Sequence, residues 1–287
     1  MSLVIATAPP VETSCSGAAP TPLAGFSDLF DPSGHDVAAD IETSGVACLR
    51  GVVADHWLSE ARNAIATQFP MRGAHELLVA RVANGRGHTF ADRLIGDMRL
   101  RTLLESVVAA AGMSQRADAG LQADLRLVNG PGPANKPPGF HYDGSVLTMV
   151  VPIVIPDAEP GRRGELVLCP NRRPYRRSVI TNVLEKFAAQ NDLSRRRFLS
   201  RAPGNHRVEM VDLEPGNAYF FWGYRSYHAT MPCPENASRA TLIVHFANFH
   251  RDSALLMGAM ALGRKVREFS RTLSTPPGSY QVLAGTP

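Results

Sequence analysis

The 287-residue chain is poor in cysteine, and the four it has, Cys15, Cys48, Cys169 and Cys233, stand far apart. They form no C-x-x-C pair, which excludes a zinc knuckle and a dense disulfide framework and predicts a reducing, cytoplasmic setting. No run of about 18 apolar residues occurs, so no membrane-spanning helix is expected. The opening stretch MSLVIATAPPVETSCSGAAP has no basic region ahead of its short apolar run and is not expected to direct export. An excess of one charge is also missing. Thirty Lys and Arg against 26 Asp and Glu leave +4, too little to require nucleic acid or a membrane as partner, though it suits an anionic small molecule. With 44% hydrophobic residues the chain is long and apolar enough to bury one large core. No internal repeat is present, and nothing in the sequence speaks to the oligomeric state.

Residues 1–24, rich in Ala, Pro, Ser and Thr, read as a loose tail that cannot repay its ordering entropy. The remainder, 25–287, reads as one domain. In its first part, 25–120, a short strand at Val46–Leu49 precedes a helix capped by Asp55, with Trp57, Ala61, Ile65 and Phe69 recurring every four residues up to Pro70. A second helix starts near Asp97 and gathers Leu100, Leu103, Leu104, Val107 and Val108 on one face before Gly112. These helices are expected to buttress a sheet. From 121 to 250 the pattern changes to short β-type runs between Gly and Pro, at 125–128, 146–155, 165–168, 208–211, 218–222 and 240–246. Such spacing predicts an all-β barrel or two-sheet sandwich. It is interrupted by a helical insert at about 181–201 carrying Val183, Leu184 and Phe187, with Asp192 placed to cap a second turn. The closing part, 251–287, carries a helix over 252–270 and a tail.

The chemistry concentrates in Gly139-Phe140-His141-Tyr142-Asp143-Gly144, just ahead of a strand. Side chains alternate along extended chain, so His141 and Asp143 point to one side and Tyr142 to the other. An imidazole and a carboxylate can then converge on one ion. His228, in Tyr227-His228-Ala229 after the 218–222 strand, supplies the third ligand. Two histidines and one carboxylate on one face leave three positions open, the arrangement with which non-haem Fe(II) binds a bidentate oxo-acid and O2 together. A bare H-x-D arises by chance in many chains, so the downstream context matters. Arg239 lies eleven residues after His228 at the head of a β run. Its fork suits the distal carboxylate of 2-oxoglutarate, and Thr241, two residues on, shares its face and can add a hydroxyl.

This order, H-x-D, a long interval, then His and a following Arg, resembles that of the Fe(II)/2-oxoglutarate-dependent dioxygenases. Gly164-Glu165-Leu166 running to Cys169-Pro170-Asn171 is similar to the G-x-L…PGSH strand of their phytanoyl-CoA-hydroxylase-like branch, and Leu213-Glu214-Pro215-Gly216-Asn217-Ala218 is similar to the L-x-PGD turn before the second histidine. The likeness spans roughly 125–249. It departs from the pattern at Pro170-Asn171-Arg172-Arg173, where many relatives have Gly-Ser-His. The resemblance implies a mainly β fold with flanking helices and a double-stranded β-helix, or jelly-roll, core. It implies Fe(II), 2-oxoglutarate and O2 as cofactors, with ascorbate as a reductant in vitro. It further implies oxidation, most simply hydroxylation, of a small molecule. Asp143 stands where related halogenases have a small residue, which argues against halogenation.

Other residues carry weaker readings. Arg126 and Asn129, on the strand leading to His141, are placed to reach co-substrate or substrate, against solvent exposure as the alternative. Among Tyr219, Phe220, Phe221, Trp222, Tyr224 and Tyr227 core packing is the first expectation for any one member, with Trp222 and Tyr224, and with them Tyr142, as substrate candidates. His245 shares parity with Arg239 and is expected to be a core histidine held by hydrogen bonds rather than a further ligand. The arginine runs Arg162-Arg163, Arg172-Arg173, Arg176-Arg177 and Arg195-Arg196-Arg197 read as solvated faces, with attraction of a carboxylate or a carrier-linked group as the alternative. Oxidation of a protein or nucleic acid, and a non-catalytic jelly-roll binding role, are the competing functions. No basic and aromatic track favours nucleic acid.

Overall fold

The computed structural model describes residues 25–28, 30, 36–69, 77–81, 89–113, 118–130, 139–175, 192–201 and 208–248. The expected tail 1–24, the 181–191 part of the insert and the helix expected over 252–270 lie outside the described residues.

Four helices lead the chain, each with a local cause. In α1 (Val37–Ser44), Asp36 accepts from the Ala39 amide at 3.0 Å, and Gly45, at φ +82°, ends the helix by donating to the Ile41 carbonyl. The second, α2 (Asp55–Gln68), follows strand β1 (Ala47–Leu49). Ala54, not Asp55, occupies its cap position and makes no side-chain bond. Asp55 instead lies in the first turn, where a negative charge suits the exposed amides. Thr89 and Asp92 close a reciprocal capping box on α3 (Phe90–Ile95), and Asp97 caps α4 (Met98–Ala110) through the Arg99 amide. The period read from α4 is the one found, with Leu100, Leu103, Leu104, Val107 and Val108 all buried.

The remaining strands are β2 (Leu77–Arg81), β3 (Asp118–Asn129), β4 (Ser145–Val154), β5 (Leu166–Cys169), β6 (Glu209–Val211), β7 (Ala218–Phe221), β8 (Tyr227–Thr230) and β9 (Ser238–Asn248), with helix α5 (Asp192–Arg201) between β5 and β6. They form a six-stranded sheet in the order β1-β7-β4-β9-β3-β2 and a three-stranded sheet in the order β6-β5-β8, every pair antiparallel. This is the double-stranded β-helix expected from the sequence. Neither β2 nor β8, nor helices α1 and α3, was among the elements that the sequence pattern singled out.

The large sheet is buried on both faces, and its alternation divides two jobs. Leu125 and Leu127 of β3, Met149, Val151 and Ile153 of β4, Phe220 of β7, and Leu242, Val244 and Phe246 of β9 join the helices in one apolar cluster around Trp57 and Leu104. The intervening residues face the small sheet. There Val150, Tyr219 and Phe221 meet Leu166, Leu168 and Leu213, and the polar positions Arg126, Thr148, Arg239, Thr241 and His245 converge. Among the described residues no helix is long and apolar enough to cross a membrane.

Trp57 is the keystone of the helical side, 1% exposed and donating Nε1–H to the Phe90 carbonyl at 2.7 Å. Trp57→Phe should cost about 0.5 to 1.5 kcal/mol beyond any change in packing, because it removes that buried hydrogen bond. Trp57→Ala should cost about 3 to 5 kcal/mol through the cavity it opens. Urea unfolding midpoints at constant slope measure both; equal midpoints for wild type and Trp57→Phe would show that the hydrogen bond contributes nothing.

Candidate metal centre

His141 lies in the approach to β4 and His228 in the middle of β8. Their backbones form an isolated antiparallel bridge, His141 N donating to His228 O at 2.9 Å and His228 N donating to His141 O at 3.0 Å. Two residues on, the Asp143 amide donates to the Gly223 carbonyl at 3.0 Å. The 141–143 segment is thus pinned to β8 on one side and to the turn between β7 and β8 on the other. Alternation does the rest: His141 and Asp143 face the interior, while Tyr142 packs behind them with Phe140 and Tyr227.

One ligand atom from each of His141, Asp143 and His228 lies within 4.8 Å of the others. His141 Nε2 is 3.4 Å from Asp143 Oδ1, and His228 Nε2 is 3.6 Å from Asp143 Oδ2. Neighbouring ligands bound at about 2.1 Å on one face of an octahedral ion stand about 3.0 Å apart, so this trio needs only to tighten slightly around an ion. The tautomers are set for it. His141 Nδ1 sits 2.8 Å from the Gly139 carbonyl and His228 Nδ1 3.0 Å from the Ser226 carbonyl. A carbonyl only accepts, so each Nδ1 carries the proton and each Nε2 presents a lone pair. Burial pushes the His228 imidazole down to about 4 against the pull of Asp143, which keeps it neutral. Burial alone would raise the Asp143 carboxyl, but His228, His245 and His141 facing it hold it well below the usual carboxylate range. Two imidazoles that present Nε2 and a carboxylate are a donor set that fits a divalent iron ion.

Space at the carboxylate is kept by Gly223. A Cβ there would lie 2.1 Å from Thr148 Oγ1 and 2.6 Å from Asp143 Oδ2. Thr148, 1% exposed, donates to Asp143 Oδ2 at 2.6 Å.

The triad opens into a cavity lined further by Thr148, His245, Thr230, Arg126 and Arg239. Arg239 is 3% exposed, and its Nε and Nη1 have no hydrogen-bond partner. Burial, and secondarily the facing Arg126, push its guanidinium down to about 9. Gly164, at φ +73°, makes room for it: a Cβ there would fall 2.3 Å from Arg239 Cδ. Arg126 donates from Nη1 to Thr230 Oγ1 at 3.2 Å, while its Nε is buried without a partner and its guanidinium is likewise shifted down by burial. Thr241, fully buried with its hydroxyl unpartnered, pairs in register with Arg126 and occupies the inward position next to Arg239.

The aromatic candidates Tyr142, Trp222 and Tyr224 do not line this cavity. Trp222 is fully buried in the helix-side core. Tyr224 is fully buried too, stacked on Tyr175 at 5.6 Å. Arg173 sits 4.1 Å from the ring centres of both Tyr142 and Tyr224 and donates Nε–H to the Tyr224 carbonyl at 2.6 Å. That guanidinium therefore clamps the His141–Asp143 segment to the Gly223 turn. Asn129, at the end of β3, accepts from Ser238 Oγ at 3.1 Å and does not line the cavity. Some arginines of the runs also make contacts with the chain, Arg173 from a buried position and Arg172 from an exposed one. Arg172 lies over Phe198 and Tyr227, and Arg195 donates to the Phe140 carbonyl. Sequence reasoning passed over Thr148, Gly223, Thr230 and Arg173. Thr148 had a signal, being a polar residue at inward parity within the apolar run of β4.

No family model matches the chain, and no curated protein matches it. Among solved structures it is similar to EvdO2 from Micromonospora carbonacea var. aurantiaca complexed with 2-oxoglutarate, with 14% identity, a TM-score of 0.50, and coverage of 75% of this chain and 90% of that one. It is also similar to a Pseudomonas putida prolyl-4-hydroxylase (13% identity, 74% and 97% coverage, TM-score 0.43). A third is an oxidoreductase of the 2OG-Fe(II) oxygenase family from Burkholderia pseudomallei (15% identity, 74% and 89% coverage, TM-score 0.45). At these identities the likeness to EvdO2 concerns the fold.

Two outcomes test this geometry. Gly223→Ala should lower the melting transition, because its Cβ must displace Thr148 and Asp143, and should abolish stoichiometric binding of a divalent ion by the protein that remains folded, read by titration with Co(II). Metal-free protein should lose stability as pH falls from about 6.5 to about 4. Across that window His228 takes up a proton in the unfolded chain but not in the folded one, so acid favours unfolding. Urea midpoints of wild type and His228→Gln across this window check it, the variant showing the shallower fall.

Proposed function

We propose that this chain is a non-haem iron(II), 2-oxoglutarate-dependent oxygenase that oxidises, most simply hydroxylates, a small-molecule substrate. One observation carries the reading: a single cavity joins the His141, Asp143 and His228 donor set to a buried guanidinium, Arg239, with two unsatisfied donor nitrogens. A buried, unpaired arginine is costly and requires an anion. The distance along β9 from Arg239 to His245, beside the ion site, spans six residues, and its inward residues form the wall between the two ends.

Charge sets the class of that anion. Arg126, Arg239 and a divalent ion, set against Asp143 and the buried Glu165 near Arg239, leave a surplus of two positive charges. A dianion such as 2-oxoglutarate neutralises it. In this reading Arg239 and Thr241 hold the distal carboxylate, and Arg126, with Thr230, lies along the co-substrate between that end and the ion. When bound, iron(II) and 2-oxoglutarate supply with O2 the oxidising equivalent, as the oxo-acid loses CO2 and becomes succinate. The chain's part is to orient His141 and His228 through Nδ1 so that each offers Nε2, to keep Asp143 ionised, and to exclude water with Val150, Leu166, Leu213, Phe221 and Ile243.

Arg239→Ala should keep the metal but weaken 2-oxoglutarate binding by on the order of 2 to 5 kcal/mol, about 30- to 5000-fold. Arg239→Lys should restore only part of it, because a point charge replaces a fork. Calorimetric titration of the metal-loaded protein measures this, and unaltered affinity in Arg239→Ala would remove Arg239 as anchor. Asp143→Gly should end succinate release, whereas Asp157→Ala, at an exposed loop position, should not. A metabolite panel scored by succinate release identifies the substrate.

A further inference from the structure

Three hydrogen bonds lead away from the Asp143 carboxylate, and their direction is fixed by chemistry. An ionised carboxylate only accepts, so Thr148 Oγ1, 2.6 Å from Asp143 Oδ2, must spend its one proton there. Thr148 can then only accept from Ser145 Oγ, 3.2 Å away. With the serine proton so used, Ser145 Oγ accepts in turn from His245 Nδ1 at 3.0 Å. Ser145 and Thr148 are 4% and 1% exposed, so no solvent competes for these protons. The 3.8 Å between His245 Nδ1 and Asp143 Oδ2 is too long for a direct hydrogen bond, and a protonated Nδ1 is no ligand. The relay thus accounts for a fourth polar side chain beside the triad without adding it to the metal.

We propose that Thr148 is the positioning residue of the metal carboxylate, a role that rests on reading the site as an iron centre. By holding Oδ2, the hydroxyl stops the carboxyl group from rotating and leaves Oδ1, on the His141 side, directed at the ion. Carboxylates with both oxygens unrestrained swing between one-point and two-point attachment, and a two-point grip takes a position that a co-substrate or O2 needs. Gly223 belongs to the same device, since any side chain there would strike both partners of the bond.

The experiment is Co(II) binding to the metal-stripped full chain, followed by its visible spectrum, for wild type, Thr148→Val and Thr148→Ser, with melting curves for each. Thr148→Val keeps the shape and removes the proton; it should bind Co(II) about 10- to 100-fold more weakly, with an altered spectrum, at near-unchanged melting temperature. Thr148→Ser restores the hydroxyl, and with it the wild-type spectrum and most of the affinity, even where loss of the methyl group lowers the melting temperature. Equal affinity and an identical spectrum for wild type and Thr148→Val overturn the positioning role while leaving the iron reading standing. Failure of wild type to bind one Co(II) overturns both. Loss in Thr148→Val that Thr148→Ser does not repair assigns the effect to packing and overturns the role as well.

Discussion

The two hydrogen bonds between the backbones of His141 and His228 join the segment leading into β4 of the large sheet to β8, an edge strand of the small sheet. Main chain, not side-chain packing, therefore decides how far apart the two imidazoles stand. From that bridge the rest follows by the pleat. Asp143 falls on the same side as His141, its amide reaches the Gly223 carbonyl, and the turn that carries Gly223 must pass close enough to forbid a side chain. A slip of one residue in this pairing would turn both ligands away from the cavity. The aromatic and arginine cluster behind the segment, Tyr142, Tyr224 and Arg173, has the complementary task of keeping that register from moving.

Much of this was legible in the sequence, for reasons that can be named. His141, Asp143, His228 and Arg239 could be found because alternation and charge type are local properties. The faces of α2 and α4 showed because a helix with one wet side carries a clear period. The aromatic run at 219–224 was read less well. A strand buried on both faces has no polar side to mark its orientation, so nothing told Phe221, which reaches the cavity, from Trp222, which supports the helices. Strand β8 was hidden because four residues, Tyr-His-Ala-Thr, are too few and too mixed to show a pattern. Arg173 looked like surface charge, as its exposed neighbour Arg172 is, since sequence records the charge but not the aromatic rings that the fold brings around it.

The pocket's electrostatics run against stability. Arg239 is kept out of water with two donors unpaired, and Arg126 repels it from the adjoining strand. Both features lower the stability of the ligand-free protein and raise its affinity for an anion by the same free energy. Structure near the site is thus organised for the bound form, and the surrounding apolar core, anchored by Trp57 and the helices, offsets the difference.

Strand β9 has no exposed residue between Arg239 and Ala247. Its even-numbered side chains, from Ala240 to Phe246, are core, and of its odd-numbered ones Arg239, Ile243 and His245 are site wall. A strand in which every position is committed has little freedom to drift. New substrates can be accommodated only by altering the segments that join the strands, where a change touches neither the anion anchor nor the helical side. The chain thus keeps its fixed machinery apart from the segments free to change, and the division runs along the backbone of this one strand.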